Sequence, residues 1–238
     1  MVMNNTEAKY RHELKYIVSA AQIPLLKSRI APIMRLDPHA VPGGKYNIRS
    51  LYFDDYDNHC YYENENGTDP REKFRIRIYN HSPAAIHLEC KRKERGKTLK
   101  TSAEITVEQV NQSMEGAPWT NLESLPPLLR KMKLQMDTRL LRPVVIVEYE
   151  RIPYVYKNGN VRVTFDMNVS SSADVSRFWE ENLPRRPVMP PGMQLMEVKF
   201  DEYLPDFIYR GLNLGVLRQT AYSKYYLCRK YTLNTLNK

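Results

Sequence analysis

Three short stretches place charged side chains at every second position. Lys73, Arg75 and Arg77 alternate with Phe74, Ile76 and Ile78; Glu89, Lys91 and Lys93 alternate with Cys90 and Arg92; Glu197, Lys199 and Asp201 alternate with Val198 and Phe200. Two further stretches repeat the pattern with Glu13 and Lys15, then Arg162, Thr164 and Asp166. In a strand, alternate residues share a face, so each stretch gathers its ionic groups on one side. Arg offers a planar, bidentate fork and Lys a mobile point charge, and both suit an oxyanion such as phosphate.

The elements that carry these residues follow from periodicity and turn residues. Lys9 to Val18 reads as a strand, followed by a helix from Ala20 to about Met34 with Ser19 as its cap. The turn-rich DPHAVPGGK precedes a strand at YNIRSLYFD, and Tyr56 to Glu63 reads as a short helix or loop. Strands are expected at Glu72–Tyr79, Ala85–Lys93 and Leu99–Val107. Residues 108 to 136 read as helix in two pieces, broken by Gly116, Pro118 and Pro126-Pro127. Val144–Tyr154 and Val161–Val169 form a hairpin about Lys-Asn-Gly-Asn. Ser170 to Gly192 reads as a loop, and Gln194 to Tyr203 as the last clear strand. There is no internal repeat or linker, so residues 1–238 form a single domain. The fold class is α+β, a mainly antiparallel barrel with helices packed outside.

Alternation does not say which face points inward. A sandwich or open sheet with a solvated charged face satisfies the same pattern. The opposite faces are apolar, however, and the helices carry apolar stripes that need cover. If they pack against Phe74, Ile76, Ile78, Val198 and Phe200, the charges fill the lumen. Two like charges about 8 Å apart repel by roughly 2 kcal/mol at an effective dielectric of 20. A cationic lumen must therefore be wet, studded with carboxylates, or filled by a polyanion. Glu13, Glu89, Glu104, Glu148 and Glu197 are the available balance, and a surplus of Lys and Arg remains.

Composition agrees. The chain carries a net charge of +9, which favours an anionic partner. Cys60, Cys90 and Cys228 are far apart and form no CxxC pair, so neither a disulfide framework nor a zinc site is expected. Cys90 is expected to point out of the lumen into packing. Glu148 and Glu150 share a face opposite Arg151, where ion pairing is the plainer role. The five histidines do not cluster. The string ERGKT lacks the earlier glycine of a P-loop, and KFRIRIY lacks the aromatics and glycines of an RNA-recognition strand. No apolar stretch approaches the roughly 18 residues that cross a bilayer. The beginning MVMNNTEAKYRHELKY has no signal-peptide character. A soluble, cytoplasmic protein is expected.

Taken in order, RHELKY, SLYFD, KFRIRIY, LECKRK, Lys100, EYER, VRVTFD, MEVKF and SKYY resemble the VTC domain, from about Tyr10 to Tyr226. That is the polyphosphate polymerase domain of the triphosphate tunnel metalloenzyme superfamily. The resemblance implies a tunnel of eight antiparallel strands with a charged lumen. It implies that Lys15, Arg75, Arg77, Lys91, Lys100, Arg151, Arg162 and Lys199 grip ATP or polyphosphate, with Ser223 and Lys224 at the tunnel mouth. Among these, Lys91, Arg151, Arg162, Lys224 and Glu197 are the expected catalytic set, and Glu197 the ligand of Mn²⁺ or Mg²⁺. Arg49, Arg71 and Lys73 are weaker candidates, expected at the rim or in solvent.

The implied reaction moves the γ-phosphate of ATP onto a growing polyphosphate chain. The alternatives are a module that binds polyphosphate or nucleotide for a membrane partner, and a tunnel triphosphatase. Hydrolytic relatives begin with ExExK, whereas Arg11 makes this chain RxExK. Fungal VTC subunits add a sensing domain and membrane helices, so membrane coupling here would use a separate protein at the membrane's inner face. No specific nucleic acid is expected.

Overall fold

The computed structural model describes residues 9–38, 40, 43–116, 119 and 122–236. Pro118, the early-turn residues His39, Val41 and Pro42, and the segment before Lys9 lie outside them. Ten strands and six α-helices occur among the described residues. In chain order they are β1 (His12–Ser19), α1 (Gln22–Ile30), β2 (Arg35–Leu36), β3 (Tyr46–Asp54) and α2 (His59–Glu65). Next come β4 (Arg71–Tyr79), β5 (Ser82–Glu94), β6 (Lys97–Glu104), α3 (Val107–Glu115) and α4 (Pro127–Arg139). The chain ends with β7 (Arg142–Tyr156), β8 (Val161–Ser172), β9 (Arg186–Pro187), β10 (Met193–Phe200), α5 (Asp206–Gly211) and α6 (Lys224–Leu236).

Eight strands form one antiparallel curled sheet in the order β1-β10-β8-β7-β3-β4-β5-β6, with β2 and β9 as short additions. Its edges, β1 and β6, meet at a bridge between Arg11 and Thr98, where each backbone N–H donates to the other's carbonyl at 2.9 Å. Further along β1, Tyr16 pairs with Gln219, and Thr220 N–H donates to the Lys15 carbonyl at 2.8 Å. The segment before α6 therefore occupies the edge that β6 leaves free, which blunts an otherwise unpaired strand.

The apolar faces of the strands point outward, as the alternation predicts. Phe74, Ile76, Ile78, Leu88 and Cys90 form one core with Val110 of α3 and Leu129 and Met132 of α4. Val163, Phe165, Met196 and Val198 form a second with Ile23, Leu26 and Ile30 of α1 and Ile208 of α5. A third core has a different place. It joins Ile48, Val145, Val147 and Tyr149 to Tyr225 and Cys228 of α6. These strand residues lie on the same faces as Ser50, Tyr52 and Arg151, so α6 packs against the inward-facing side of β3 and β7.

Local signals explain the boundaries. Ser19 Oγ accepts from Gln22 N–H at 3.2 Å and the Gln22 side chain accepts from Ser19 N–H at 2.7 Å, a reciprocal cap before α1. The helix stops at Ile30 rather than Met34, leaving Ile33 exposed. Thr106 and Gln109 cap α3 in the same way, and Gly116, with φ of +70°, ends it. Pro127 opens α4, where its missing N–H has no helical partner to lose. The expected loop after Ser170 is shorter than read, because β8 runs on to Ser172 and β9 pairs with it.

Candidate functional site: the cationic lumen

Inside the curled sheet lies a cavity of about 470 Å³. Its wall carries Lys15, Lys199, Arg151 and Lys224 on one side, and Arg71, Lys73, Arg75, Arg77, Lys91 and Lys93 on the other. Against these ten cations the wall shows two carboxylates, Glu13 and Glu197. Glu89 and Asp166 stand just behind them, almost fully buried. The open-sheet alternative is thereby removed, and the charged face is the interior.

Strand register arranges the charges. Lys15 sits opposite Glu197 and Glu13 opposite Lys199 across β1 and β10, a checkerboard of opposite signs. The Glu197 Oε1 atom accepts from Lys224 at 2.7 Å and faces Lys15 at 3.8 Å; its Oε2 faces Lys199 at 3.3 Å and Arg151 at 3.5 Å. Arg151 grips Asp166 through two bonds of 2.6 and 2.7 Å. Lys224, the first residue of α6, also donates to Asp166 at 2.6 Å and lies over the Tyr149 ring. The late Ser-Lys pair lines the cavity together: Lys224 is buried against Asp166 and Glu197, and Ser223 accepts from Lys73 at 3.5 Å.

On the other wall Arg75 holds Glu89 at 2.6 and 2.7 Å and donates to the Tyr52 hydroxyl at 2.8 Å. Arg77 bonds Ser50 and Tyr149, and Lys91 donates to Glu13 at 2.5 Å. Burial alone would push these carboxyls up, but the surrounding cations win. Lys91, Lys15 and Lys199 hold Glu13 well below the usual carboxylate range, as Lys224, Lys199, Lys15 and Arg151 hold Glu197. Arg75, Arg77 and Lys100 do the same for Glu89. Burial lowers the lysines instead: Lys91 falls to about 8 and Lys73, repelled further by Lys91, to about 7.

Several expected site residues sit elsewhere. Arg162 lies on the inner face, but its guanidinium bonds Asp37 at 2.8 Å and the Tyr46 hydroxyl at 2.9 Å, away from the cavity wall. Lys100 pairs with Glu89 at 2.9 Å from the edge strand and stays half exposed. Lys73, expected at the rim, lines the cavity, as does Arg71. Arg49 is neither rim nor solvent: it is fully buried on the outer face. There it donates to Glu148 at 2.6 Å and to the carbonyls of Phe178 and Glu180, because nothing else could neutralise so buried a cation. Glu148 and Glu104 therefore do not balance the lumen; Glu148 is spent on Arg49, Arg185 and His81, and Glu104 is exposed. Asp201 leaves the inner face past the end of β10 and pairs with Arg11 at 2.8 Å. Lys93, Tyr52, Tyr149 and Tyr222 line the cavity without having been candidates, although period-two counting along their strands reaches the first three.

Among the described residues no three His, Cys, Asp or Glu side chains converge as a metal cage. A Mg²⁺ or Mn²⁺ site needs less, since such ions use one or two carboxylates and complete their shell with water and substrate phosphate. Glu197 fits that role from the cavity wall. Directly opposite it on β8 is Thr164, whose buried hydroxyl has no hydrogen-bond partner among the described residues.

A sequence comparison with curated proteins finds no match. Among solved structures, the adenylyl cyclase candidate HpAC1 from Hippeastrum, described as having a dominant triphosphatase activity, superposes with a TM-score of 0.51 at 15% identity, covering 94% of this chain and 96% of that one. The PH1819 protein of Pyrococcus horikoshii OT3 gives 0.49 at 16% identity, covering 93% and 99%. At such identities the first likeness speaks to fold: a curled antiparallel sheet closed around a lumen. The model of the VTC domain family matches residues 10–233, nearly the whole chain, and the protein belongs to that family.

Proposed function

We propose that the domain binds ATP and inorganic polyphosphate in its lumen and transfers the γ-phosphate of ATP to the chain end. The observation that carries this reading is a wall of ten cations that, among the described residues, shows two carboxylates to the cavity and has Glu89 and Asp166 just behind it. Loose phosphoryl transfer asks for positioning and charge neutralisation more than for a covalent nucleophile, and this wall supplies both. A terminal oxygen of the chain attacks the γ-phosphorus, the bond from that phosphorus to the β–γ bridging oxygen breaks, and ADP leaves with that oxygen. The chain is then one phosphate longer.

Arg75 and Arg77, fixed by Glu89, Tyr52 and Ser50, are placed to clamp phosphate oxygens without reorganising. Lys91 and Lys199 are each tethered by a single ammonium contact, to Glu13 and Glu197 respectively, so each can swing onto an incoming oxygen, whereas Lys15 is held by the Tyr222 carbonyl at 2.7 Å as well as by Glu13 and Glu197. Arg151 and Lys224 anchor the carboxylates that fix the far side. When bound at Glu197 with phosphate oxygens, a divalent ion would neutralise charge on the leaving group. Arg11 supports transfer over two-metal hydrolysis: it stands where hydrolytic relatives of the superfamily place their first glutamate, and it is bound to Asp201. No helix among the described residues is long and apolar enough to cross a membrane.

The test is to incubate the protein with ATP and Mn²⁺ and resolve the products by gel. A ladder of lengthening chains, lost in Glu197→Gln with polyphosphate binding retained, is the expected result. Orthophosphate release without chains would replace this reading with a hydrolase, and tight polyphosphate binding without turnover would replace it with a binding module.

A further inference from the structure

The cations of the lumen are unevenly neutralised. Arg75 and Arg77 share Glu89, Arg151 and Lys224 share Asp166 and Glu197, and Lys91 and Lys15 share Glu13. At the start of β4 the pattern breaks. Register sets Arg71 directly opposite Lys93 and Lys73 directly opposite Lys91, two adjacent pairs of like charge. Such pairs destabilise a sheet unless something else compensates.

Arg71, Lys73 and Lys93 all line the cavity, and none has a carboxylate within ion-pair distance among the described residues. Arg71 donates only to the Thr68 carbonyl, and Lys73 has the Ser223 hydroxyl at 3.5 Å and the Tyr225 ring at 5.0 Å. These are neutral neighbours that orient an ammonium without satisfying its charge. A surface lysine would relieve the repulsion by swinging into water, but all three are at least partly buried.

We propose that Arg71, Lys73 and Lys93 form a second anion subsite within the lumen, holding phosphates of an inorganic chain that lie beyond the triphosphate held by Arg75, Arg77 and Arg151. The inference rests on the reading of the lumen as a phosphate-chain site. It adds a division of labour. The end with built-in carboxylates holds the reacting triphosphate, and the bare end holds the remainder of the chain.

Calorimetric titration with inorganic tripolyphosphate and with long-chain polyphosphate separates the two. Wild-type protein is expected to bind the long chain more tightly. In the triple variant Arg71→Gln, Lys73→Gln, Lys93→Gln, long-chain affinity should fall by about tenfold to a hundredfold, as three partly screened contacts imply. Tripolyphosphate affinity should stay within about twofold. The single variant Lys93→Gln, a milder change, should shift long-chain binding alone in the same direction. Equal weakening of both ligands, or of neither, in variants with a wild-type melting transition would overturn the subsite. Failure of wild-type protein to bind either phosphate would remove the reading of the lumen itself, which the chain-length comparison in the variants cannot do.

Discussion

Lys73 makes phosphate binding and proton uptake one event. Burial and the nearby Lys91, Lys15 and Arg71 lower its pKa to about 7, so at pH 8 roughly one free molecule in ten carries this proton. A phosphate chain beside it favours the charged form, returning the amine toward its ordinary value near 10.4. Binding at pH 8 should then draw about 0.9 proton onto Lys73, and about 0.5 onto Lys91, whose pKa is about 8. At pH 6 both amines are already charged and the uptake should fall to about 0.1 proton. The sign follows: affinity for the chain is greatest below pH 7 and declines as pH rises, by about a hundredfold between pH 6 and 9 through Lys73 alone. The same depressed pKa means the free protein gains stability as pH rises from about 7 toward 10, where the unfolded chain still holds the proton. Titration calorimetry in two buffers of different ionisation enthalpy reads the proton count. The phosphate ligand titrates too, so the decisive quantity is the difference between wild type and Lys73→Met. That difference should be close to one proton at pH 8 and close to zero at pH 6. A zero difference across this range would refute the argument, since Lys73 would then be neither discharged in the free lumen nor recharged by the chain.

Other outcomes follow from the same map. Arg49→Met should lower unfolding stability in urea by about 3–5 kcal/mol, because it takes from buried Glu148 its only fully buried cation among the described residues, leaving the more exposed Arg185 and His81, and leaves the carbonyls of Phe178 and Glu180 without that donor. Lys224→Met should leave Asp166 and Glu197 facing each other with less cation between them. It should abolish chain synthesis while weakening tripolyphosphate binding less than Arg75→Ala does, as parallel kinetics and calorimetry can measure. The lumen carboxyls Glu13, Glu89, Asp166 and Glu197 all sit below their ordinary values despite burial. Their stabilisation is present above about pH 5 and lost as pH falls through the folded values, so the melting temperature should drop steeply below about pH 4.

Much of this was legible from one period. Counting by twos along β4, β5, β8 and β10 placed Arg75, Arg77, Lys91, Asp166 and Glu197 on common faces, and the apolar complements Phe74, Ile76, Ile78 and Val198 placed the helices outside. Period two does not reveal partners. Arg49 belongs to a strand whose inner face is Ser50 and Tyr52, so its burial under residues 178–181 depends on a loop with no regular pattern. Arg162 obeys the alternation but lies where the strand leaves the cavity, within reach of Asp37. The division of the lumen into a neutralised and a bare end depends on cross-strand register, which sets Lys73 against Lys91, and a single strand's sequence does not contain it. Nor does local sequence show that α6 turns inward: its apolar residues meet the inner faces of β3 and β7 only after the sheet has curled.

The most direct test of the central claim is a crystal structure of the protein with inorganic tripolyphosphate. The account predicts a phosphate chain inside the lumen, with oxygens within hydrogen-bond distance of Arg75, Arg77, Lys91 and Arg151, and Lys199 drawn off Glu197 toward it. Phosphate bound only on the outer surface, with the interior ion pairs unchanged, would contradict it.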